Sequence, residues 1–506
     1  MEITMKKIFA LLLLVAMAFS IVACGPKNVI QTEKPIDPNP DNTATAEKVR
    51  YEVPANGYDG SEVTITFSHT MGEALRKELD KAIERFNEIY PNITVEHTQV
   101  GGYDEVRDQI KTELTAGNQP NIAYCYPDHV ALYNVTKKVV PLDNFIESQI
   151  PDSATGGIIG LTEEQKADFI TSYYNEGTVF DVAGTMYTMP MSKSTEVLYY
   201  NATFFQENGL TVPTTWAELE QVCADIKAIL ASDDNPNNDA DVPLGYDSES
   251  NWFITMCEQY GSNYTSTDPS NHFLFNNKTN RDFVKMFREW YEKGYVTTQE
   301  IYGAYTSSLF TNTDPTKPTC YMCIGSTGGA SHQTPPVVDG QYKFTVGIAA
   351  IPQVNPDAPK AISQGPSLCI FDQNGDSDNF DNGQEVIASW LFVKFLTTDA
   401  KFQASFSMVS GYMPVINSVK TIDAYAKWLN GANGTDKLGA LVIKTALENT
   451  ESYFVSPAFN GSSKARDQVG VLIQYCFTNS PANGVSVDDF ILEAFQKAIA
   501  ECLSDT

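Results

Sequence analysis

The chain has 506 residues, with 34 Lys and Arg against 63 Asp and Glu, so its formal net charge is −29. This length exceeds the usual size of a single hydrophobic core, and we expect two lobes or more. The acidic balance disfavours nucleic acid as a partner, since phosphate backbones bind clustered Lys and Arg. It also disfavours polyanionic solutes, unless a local basic pocket overrides the overall charge.

The N-terminal segment has the layout of a secretory signal peptide. Two lysines precede an apolar run over 8–21, and the segment ends in the letters VACG, in which the cysteine is Cys24. A cysteine at this place resembles the lipobox of bacterial lipoproteins, whose cysteine is lipidated after export. We therefore expect a signal peptide over 1–23 and a lipid anchor on Cys24 at the outer face of the cell membrane. The alternative is an uncleaved membrane anchor, but the apolar run is short of the roughly 20 residues of a span.

The segment 24–60 separates this N-terminus from the first regular pattern. It is rich in Pro, Asn, Asp and Thr and poor in apolar residues. That composition is typical of a flexible tether, because it offers too little apolar surface to form a core.

Strand and helix patterns alternate along the rest of the chain. Residues 63–67 alternate apolar and polar side chains, and apolar residues then recur at helical spacing up to Pro91. Thr215 and Glu218 form a capping box that predicts a helix start. The alternation indicates an α/β fold with mostly parallel sheets, in which ligands bind at the carboxyl ends of strands. The patterns predict strands over 63–67, 93–95, 121–124 and 198–200, and helices over 75–89, 103–115, 216–229, 385–395, 399–408 and 488–503.

Two segments carry residue types that bind metal ions, and neither has a full ligand set. Cys320 and Cys323 form a lone CxxC in a strand-like run, whereas a zinc ribbon needs two more ligands and a redox motif usually opens a helix. We expect Cys320 and Cys323 to be structural thiols, and Cys223 and Cys369 to be small buried apolar residues. The Asp/Asn loop 232–241 alternates like a calcium loop, but Leu244 stands where a bidentate Glu is required. A solvated turn is the favoured interpretation, and calcium binding is the alternative.

Several short segments occur in an order that indicates a family. They are FNEIYPNITV (86–95), LTAGNQPNI (114–122), LYYN (198–201), PTTWAEL (213–219) and GYMPV (411–415). In this order they resemble the extracellular solute-binding proteins of ABC importers, in the class that carries maltose and other sugars. The resemblance spans roughly 60–500. The chain departs from the family pattern at Asn121, where Asp is common, and at Gly328-Gly329, where many relatives have Gly-Trp.

The resemblance implies a two-lobed fold of the periplasmic-binding-protein type II kind, with each α/β lobe a mostly parallel sheet flanked by helices. We expect lobe one over 60–191 and 368–410, and lobe two over 192–367 and 411–506. A hinge of crossing strands would join the lobes, and its closure would trap a carbohydrate in the cleft. The closed protein would then deliver the solute to a membrane permease. The resemblance implies a monomer that uses no cofactor and no metal.

Loop positions and the resemblance together predict the residues that hold the ligand. Sugar recognition needs aromatic faces against C–H surfaces, and carboxylates or amides that bond hydroxyls. We expect about half of the candidates to touch ligand. The alternative for Trp252 is a place in the core, for His69 a polar residue at the start of a helix, and for Tyr412 a packing role in the hinge. The candidates are Ser68, His69, Tyr126, Asp128, Ser192, Ser194, Trp252, Ser326, Thr327, Gln364 and Tyr412.

Two other functions are open at this point, a secreted carbohydrate-active enzyme such as a glycoside hydrolase and a lipoprotein adhesin. A hydrolase needs two carboxylates at a set separation, which a sequence does not show. The chain contains no HExxH or GxSxG motif, and its five histidines lack ligand spacing. Hydrolysis of glycosides would indicate the enzyme, and ligand-dependent closure would indicate the importer component. Attachment to a surface with neither property would indicate the adhesin.

Overall fold

A computed structural model describes residues 47–504, except 182, 233–239, 269, 381–382 and 432–436. The predicted signal peptide, the lipid site at Cys24, most of the tether and the centre of the Asp/Asn loop lie outside the described residues. Within the described ranges, each helix is too short or too polar to cross a membrane.

The predicted strands and helices are all confirmed, with ends that differ by a few residues. The strands are β1 (Val63–His69), β2 (Ile93–Gln99), β3 (Ile122–Cys125), β4 (Met189–Pro190), β5 (Glu196–Asn201), β6 (Val242–Tyr246), β7 (Val296–Thr298), β8 (Cys320–Ser326), β9 (Val337–Val338), β10 (Gln341–Tyr342), β11 (Val346–Ala350), β12 (Ala361–Ile362), β13 (Ser367–Ile370) and β14 (Tyr453–Phe454). The α-helices are α1 (Glu73–Ile89), α2 (Tyr103–Ala116), α3 (Pro127–Tyr133), α4 (Asp143–Glu147), α5 (Glu163–Asp168), α6 (Thr171–Asn175), α7 (Ala202–Glu207), α8 (Trp216–Ser232), α9 (Glu249–Gln259), α10 (Lys278–Glu292), α11 (Gln299–Tyr302), α12 (Ser307–Phe310), α13 (Gln384–Thr398), α14 (Ala400–Ser410), α15 (Asp423–Asn430), α16 (Leu438–Leu447), α17 (Ser462–Thr478) and α18 (Val487–Leu503).

Two five-stranded sheets organise these elements. The first has the order β2-β1-β3-β13-β4, and the second has the order β11-β5-β8-β6-β7. β1 is parallel to β2 and β3, but β13 is antiparallel to β3 and β4. β6 is parallel to β7 and β8, but β5 is antiparallel to β8 and β11. In each sheet four of the five strands therefore run in the same direction, and the fifth, β13 or β5, is antiparallel to them. Both sheets are mixed, because β5 and β13 each come directly after a chain segment that crosses from the other lobe, and they run in the opposite direction.

The parallel part of the first sheet positions one wall of the candidate site. Ile65 and Phe67 are buried while Thr64 faces solvent, as their alternation predicts. α1 buries its apolar face in the same core, and the helix ends before Pro91, which disfavours helical conformation in the residue preceding it. Because β1, β2 and β3 run in the same direction, the loops after β2 and β3 meet at one edge of the sheet.

The buried apolar residues form a separate main core for each lobe. The first core surrounds the first sheet and α13, and the second contains Trp252, Trp290 and the C-terminal helices α17 and α18. We expected the chain to pass from the first lobe to the second at residue 411, but the residues just after 411 pack in the first lobe. The chain reaches the hinge at 411–413 and then turns back, so that five side chains pack in the first core: Met413, Val415, Ile416, Val419 and Tyr425.

Three chain segments meet at the hinge between the two lobes. Lys193 exchanges backbone hydrogen bonds with Met413, and Ser194 exchanges them with Gln364. Gly365 lies between these pairs with φ +93°, and a Cβ there would lie 2.5 Å from the Ser192 carbonyl oxygen. Only glycine therefore lets the segments approach this closely.

A buried ion pair lies at the centre of the hinge. Lys193 and Glu176 are 0% and 2% exposed, and the Lys193 Nζ donates to Glu176 Oε1 at 2.6 Å. The same ammonium donates to the Gly365 carbonyl oxygen at 3.1 Å and to Ser367 Oγ at 3.0 Å. Ser363 Oγ donates to the second Glu176 oxygen at 3.1 Å. Each charge is thus paired and hydrogen-bonded, which a buried charge requires.

Replacing Lys193→Met should lower the free energy of unfolding by about 3–5 kcal/mol, because the Glu176 carboxylate is left buried without its partner. Urea unfolding at neutral pH measures this loss. The double variant Lys193→Met, Glu176→Gln should recover part of it, since it removes the uncompensated charge. Lys77→Met, which breaks an exposed pair with Glu73, is the control and should cost less than about 1 kcal/mol. A loss below about 1 kcal/mol in Lys193→Met would contradict this account.

Candidate functional site

A cavity of about 860 Å³ lies between the two lobes and is lined by side chains from both. This volume falls in the usual range for small-molecule sites. Six of the eleven predicted residues line this cavity. Position in a loop after a strand, or in a segment that crosses between the lobes, therefore helped to identify residues near the cavity. The six residues are Tyr126, Asp128, Ser194, Ser326, Gln364 and Tyr412.

Trp252 does not reach the cavity, and its prediction as a stacking residue is wrong. Its side chain is 0% exposed and lies inside the core of the second lobe. The indole stacks on Phe287 with ring centroids 3.8 Å apart and on Tyr246 at 4.9 Å. The structural alternative, a core tryptophan on α9, is the one observed.

The other four predicted residues are also buried and are absent from the cavity lining. His69 Nδ1 accepts from the Met71 backbone N–H, which makes Nε2 the donor toward His97 Nδ1 at 2.9 Å. The Thr327 hydroxyl accepts from the Thr195 backbone N–H at 3.3 Å. The polar atoms of His69 and Thr327 are therefore used in hydrogen bonds within the protein and do not point into the cavity. Ser68 and Ser192, at 6% and 2% exposed, are the remaining two.

Tyrosines form an aromatic wall on the first-lobe side of the cavity. The rings of Tyr103 and Tyr126 lie 4.6 Å apart, and Tyr412 lies near enough to Tyr103 to contribute to the raised pKa of its hydroxyl. Burial raises the pKa of all three hydroxyls, which keeps them neutral at physiological pH. Tyr412 packs over Gly328, where a Cβ would lie 3.1 Å from its ring. A larger residue than glycine at this position would therefore require the Tyr412 ring to shift.

Three cavity tyrosines, Tyr103, Tyr264 and Tyr305, were not predicted from the sequence. Tyr103 begins α2 directly after the loop that follows β2. Its position at the carboxyl end of a strand could therefore have identified it as a candidate for the site. Tyr305 lies between the short helices α11 and α12 and is 62% exposed at the cavity. No periodic pattern marks that loop in the sequence.

Asp128 is held between α3 and α17. Its Oδ2 accepts from Ser463 Oγ at 2.8 Å, across 335 positions of the chain. Burial would raise the pKa of Asp128, but His129, Arg466 and the Ser463 hydroxyl outweigh burial, and the pKa is lowered. Asp128 therefore carries its charge into the cavity. Arg466 also lines the cavity and donates to Asn251 Oδ1.

The second lobe contributes three further carboxylates, Glu196, Asp247 and Asp467, and none of them was predicted from the sequence. Glu196 begins β5 and accepts from the Tyr246 hydroxyl at 2.8 Å and from Asn251 Nδ2 at 2.9 Å. Burial raises the pKa of Glu196 to about 7. Asp247 follows β6, and its Oδ1 accepts from the backbone N–H and the hydroxyl of Thr306, both at 2.7 Å. Burial also raises the pKa of Asp247.

The cysteines and the acidic residues show little that would hold a metal ion. Cys320 and Cys323 lie on β8, and the eight described cysteines are buried and free of disulfides. Burial raises the pKa of both CxxC thiols well above the usual range, which disfavours the thiolate that metals bind. In the described part of the chain, no group of three or more His, Cys, Asp or Glu side chains has a metal-binding arrangement.

Comparisons with known proteins agree with this architecture. The sn-glycerol-3-phosphate-binding periplasmic protein UgpB of Escherichia coli (strain K12) is 26% identical over 372 residues, which cover 70% of this chain and 74% of that protein. UgpB from Mycobacterium tuberculosis in complex with glycerophosphocholine superposes with a TM-score of 0.64 at 17% identity, over 87% of this chain and 98% of that chain. The ABC substrate-binding protein Lmo0181 from Listeria monocytogenes in complex with cycloalternan has a TM-score of 0.64 at 14% identity, over 88% and 100%.

The two structural likenesses show a shared two-lobed fold, because their identities are too low to show more. The family assignment comes from a sequence model. The model described as bacterial extracellular solute-binding protein matches residues 81–432, which is well over half of the chain. The protein therefore belongs to the bacterial extracellular solute-binding proteins.

Proposed function

We propose that the protein captures a carbohydrate in the cavity between its lobes and delivers it to the membrane permease of an ABC importer. The observation that carries this proposal is the combination of a tyrosine wall with carboxylates and hydroxyls in one cavity. Flat aromatic rings fit the C–H faces of sugars, and carboxylates accept hydrogen bonds from sugar hydroxyls. The capture step is binding, with no covalent chemistry.

The charge of the cavity favours a carbohydrate over a phosphate ester. Relatives of both kinds are known, since the UgpB of Escherichia coli is named for sn-glycerol-3-phosphate and Lmo0181 was solved with cycloalternan. The described lining contains two arginines against six carboxylates, namely Asp104, Asp128, Glu176, Glu196, Asp247 and Asp467. Arg107 is engaged by Asp104 at 2.9 Å. A phosphate would meet an acidic surface here, whereas phosphate sites supply Arg, Lys or backbone N–H groups.

A thermal-shift screen of the chain from Gly25 onward should therefore give a hit among neutral and amino sugars or their oligosaccharides. A ligand that binds only the folded state adds about 2.7 kcal/mol at a hundred times its Kd. sn-Glycerol-3-phosphate and glycerophosphocholine should give no shift. Shifts with these phosphate esters alone would contradict the proposal, and release of glycoside products from a hit would indicate the enzyme instead.

Asp128→Asn should weaken binding of the hit sugar about tenfold or more, because a charged acceptor is lost from the cavity. Isothermal titration calorimetry measures the change. Asp282→Asn, on the exposed face of α10, is the matched control and should bind as the native protein does. Equal affinity in Asp128→Asn and the native protein would remove Asp128 from the site.

The stability of the empty protein should report the protonation of Glu196. Its folded pKa of about 7 lies above the ordinary value of 4.5, so its contribution to stability is present at low pH and is lost as pH rises through 7. Glu196→Gln mimics the protonated form and does not titrate. From pH 5 to pH 8, its free energy of unfolding should therefore rise by about 2–3 kcal/mol relative to the native protein. Urea unfolding at both pH values measures this, and a pH-independent difference would contradict it.

We also propose that Cys24 is lipidated and holds a monomeric protein at the outer face of the membrane. The lipobox-like sequence supports the anchor, and the family supports an extracytoplasmic location. Cells that express the full chain should incorporate labelled palmitate into it and retain it in the membrane fraction. Cys24→Ser should abolish the label. Label that persists in this variant would contradict the assignment.

A further inference from the structure

One wall of the cavity presents hydrogen-bond acceptors that the described residues satisfy only in part. This acceptor wall consists of Glu196, Asp247 and Gln333. Asp247 Oδ1 is satisfied by Thr306, but among the described residues Oδ2 meets only the weak donor Cys323 Sγ, at 4.0 Å. Gln333 is 1% exposed, and its Nε2 donates to the same sulfur at 3.1 Å, which directs its amide oxygen elsewhere. Among the described residues, that buried oxygen has no donor.

The three side chains of the acceptor wall lie close together around β8. A Cβ on Gly325 would lie 2.7 Å from Asp247 Oδ2 and 3.2 Å from Gln333 Nε2, so both side chains meet over this glycine. Glu196 is paired with Ser326, the next residue of β8. The charge of Asp247 contributes to the raised pKa of Glu196, which is consistent with two neighbouring carboxylates.

The described residues supply no cation that neutralises this wall directly. The donors to Glu196 are a tyrosine hydroxyl and an amide, and the guanidinium of Arg466 donates to Asn251 instead of the carboxylate. His332 lowers the pKa of Asp247 through its charge, but it is exposed and forms no ion pair with Asp247 in the described structure. Two of the other cavity carboxylates differ, because Glu176 is paired with Lys193 and Asp104 with Arg107.

We propose that the acceptor wall selects a carbohydrate that carries a protonated amine, as amino sugars do. An ammonium group offers three N–H donors and a positive charge. It would satisfy Asp247 Oδ2, the Gln333 amide oxygen and Glu196 with charge-assisted hydrogen bonds. A sugar hydroxyl at the same place offers one donor and no charge, and an N-acetyl group offers one donor with added bulk. This inference rests on the proposed carbohydrate function and names the class of sugar.

The test compares sugars that differ only in the group at carbon 2. The disaccharide of β1,4-linked glucosamine, its N,N′-diacetyl form and cellobiose carry an amine, an acetamide and a hydroxyl there. Glucosamine and glucose, galactosamine and galactose, and mannosamine and mannose extend the series to other ring configurations. Calorimetry at pH 6.5 keeps the amines largely protonated. In at least one set, the amine should bind about tenfold or more tightly than its hydroxyl and acetylated counterparts.

Asp247→Asn should reduce the amine preference to within about twofold, since the charge is removed from the wall. Because Asp247 also holds Thr306, Gln333→Met provides a second variant, which removes the unpaired oxygen and keeps the side-chain size. It should weaken the amine sugar more than the hydroxyl sugar. Asp128→Asn, outside the wall, should weaken both sugars by similar factors and is the matched control.

The outcomes separate this inference from the proposed function. Amine preference that is lost in the two wall variants supports the inference. Equal or tighter binding of the hydroxyl or acetylated sugars overturns it and leaves the carbohydrate function in place. Amine preference that persists in both variants overturns the role of the wall. No binding by any sugar, with shifts from other solutes, overturns both proposals.

Discussion

The Lys193–Glu176 ion pair is the interaction on which the arrangement of the two lobes depends. Three chain segments meet around it, and each supplies either a charge, a backbone pairing or a hydrogen bond to the ammonium. Burying two charges is costly, so such a pair is a poor source of stability but a strict constraint on geometry. Because Gly365 allows the approach, the backbones of these segments form close pairs at the hinge.

The same pair sets the charge that a ligand meets. Glu176 faces the cavity, and without Lys193 it would add a further unpaired carboxylate to a lining that is already acidic. With the pair in place, the first-lobe side presents tyrosine rings and a hydrogen-bonded Asp128. The acceptors of Asp247 and Gln333 that lack a strong donor lie on the second lobe, around β8. The hinge therefore separates an apolar, aromatic wall from a polar one, and a ligand must satisfy both.

Sequence patterns predicted the local elements well, because helix and strand periodicity and the caps are local properties. The Thr215–Glu218 capping box forms as predicted. About half of the residues predicted for the site line the cavity, since loops after strands are local features, whereas the inward or outward direction of a side chain is not. Trp252 and Tyr103 show this limit: both adjoin cavity loops, but Trp252 turns into the core. Ser463 and Arg466 reach the cavity from a helix hundreds of positions away, so nothing in their own sequence marks them.

Selectivity in such a site follows from the groups that are unpaired when it is empty. A buried acceptor without a donor costs about 1–3 kcal/mol, and a ligand that supplies the donor recovers that cost on binding. An analogue that lacks the donor leaves the acceptor unpaired and is rejected for that reason, often more strongly than a change in size would reject it. The tyrosine wall, by contrast, accepts many sugars, since each has a C–H face. The first lobe therefore supplies general affinity for a sugar ring, and the unpaired oxygens of Asp247 and Gln333 on the second lobe decide which substituent that ring carries.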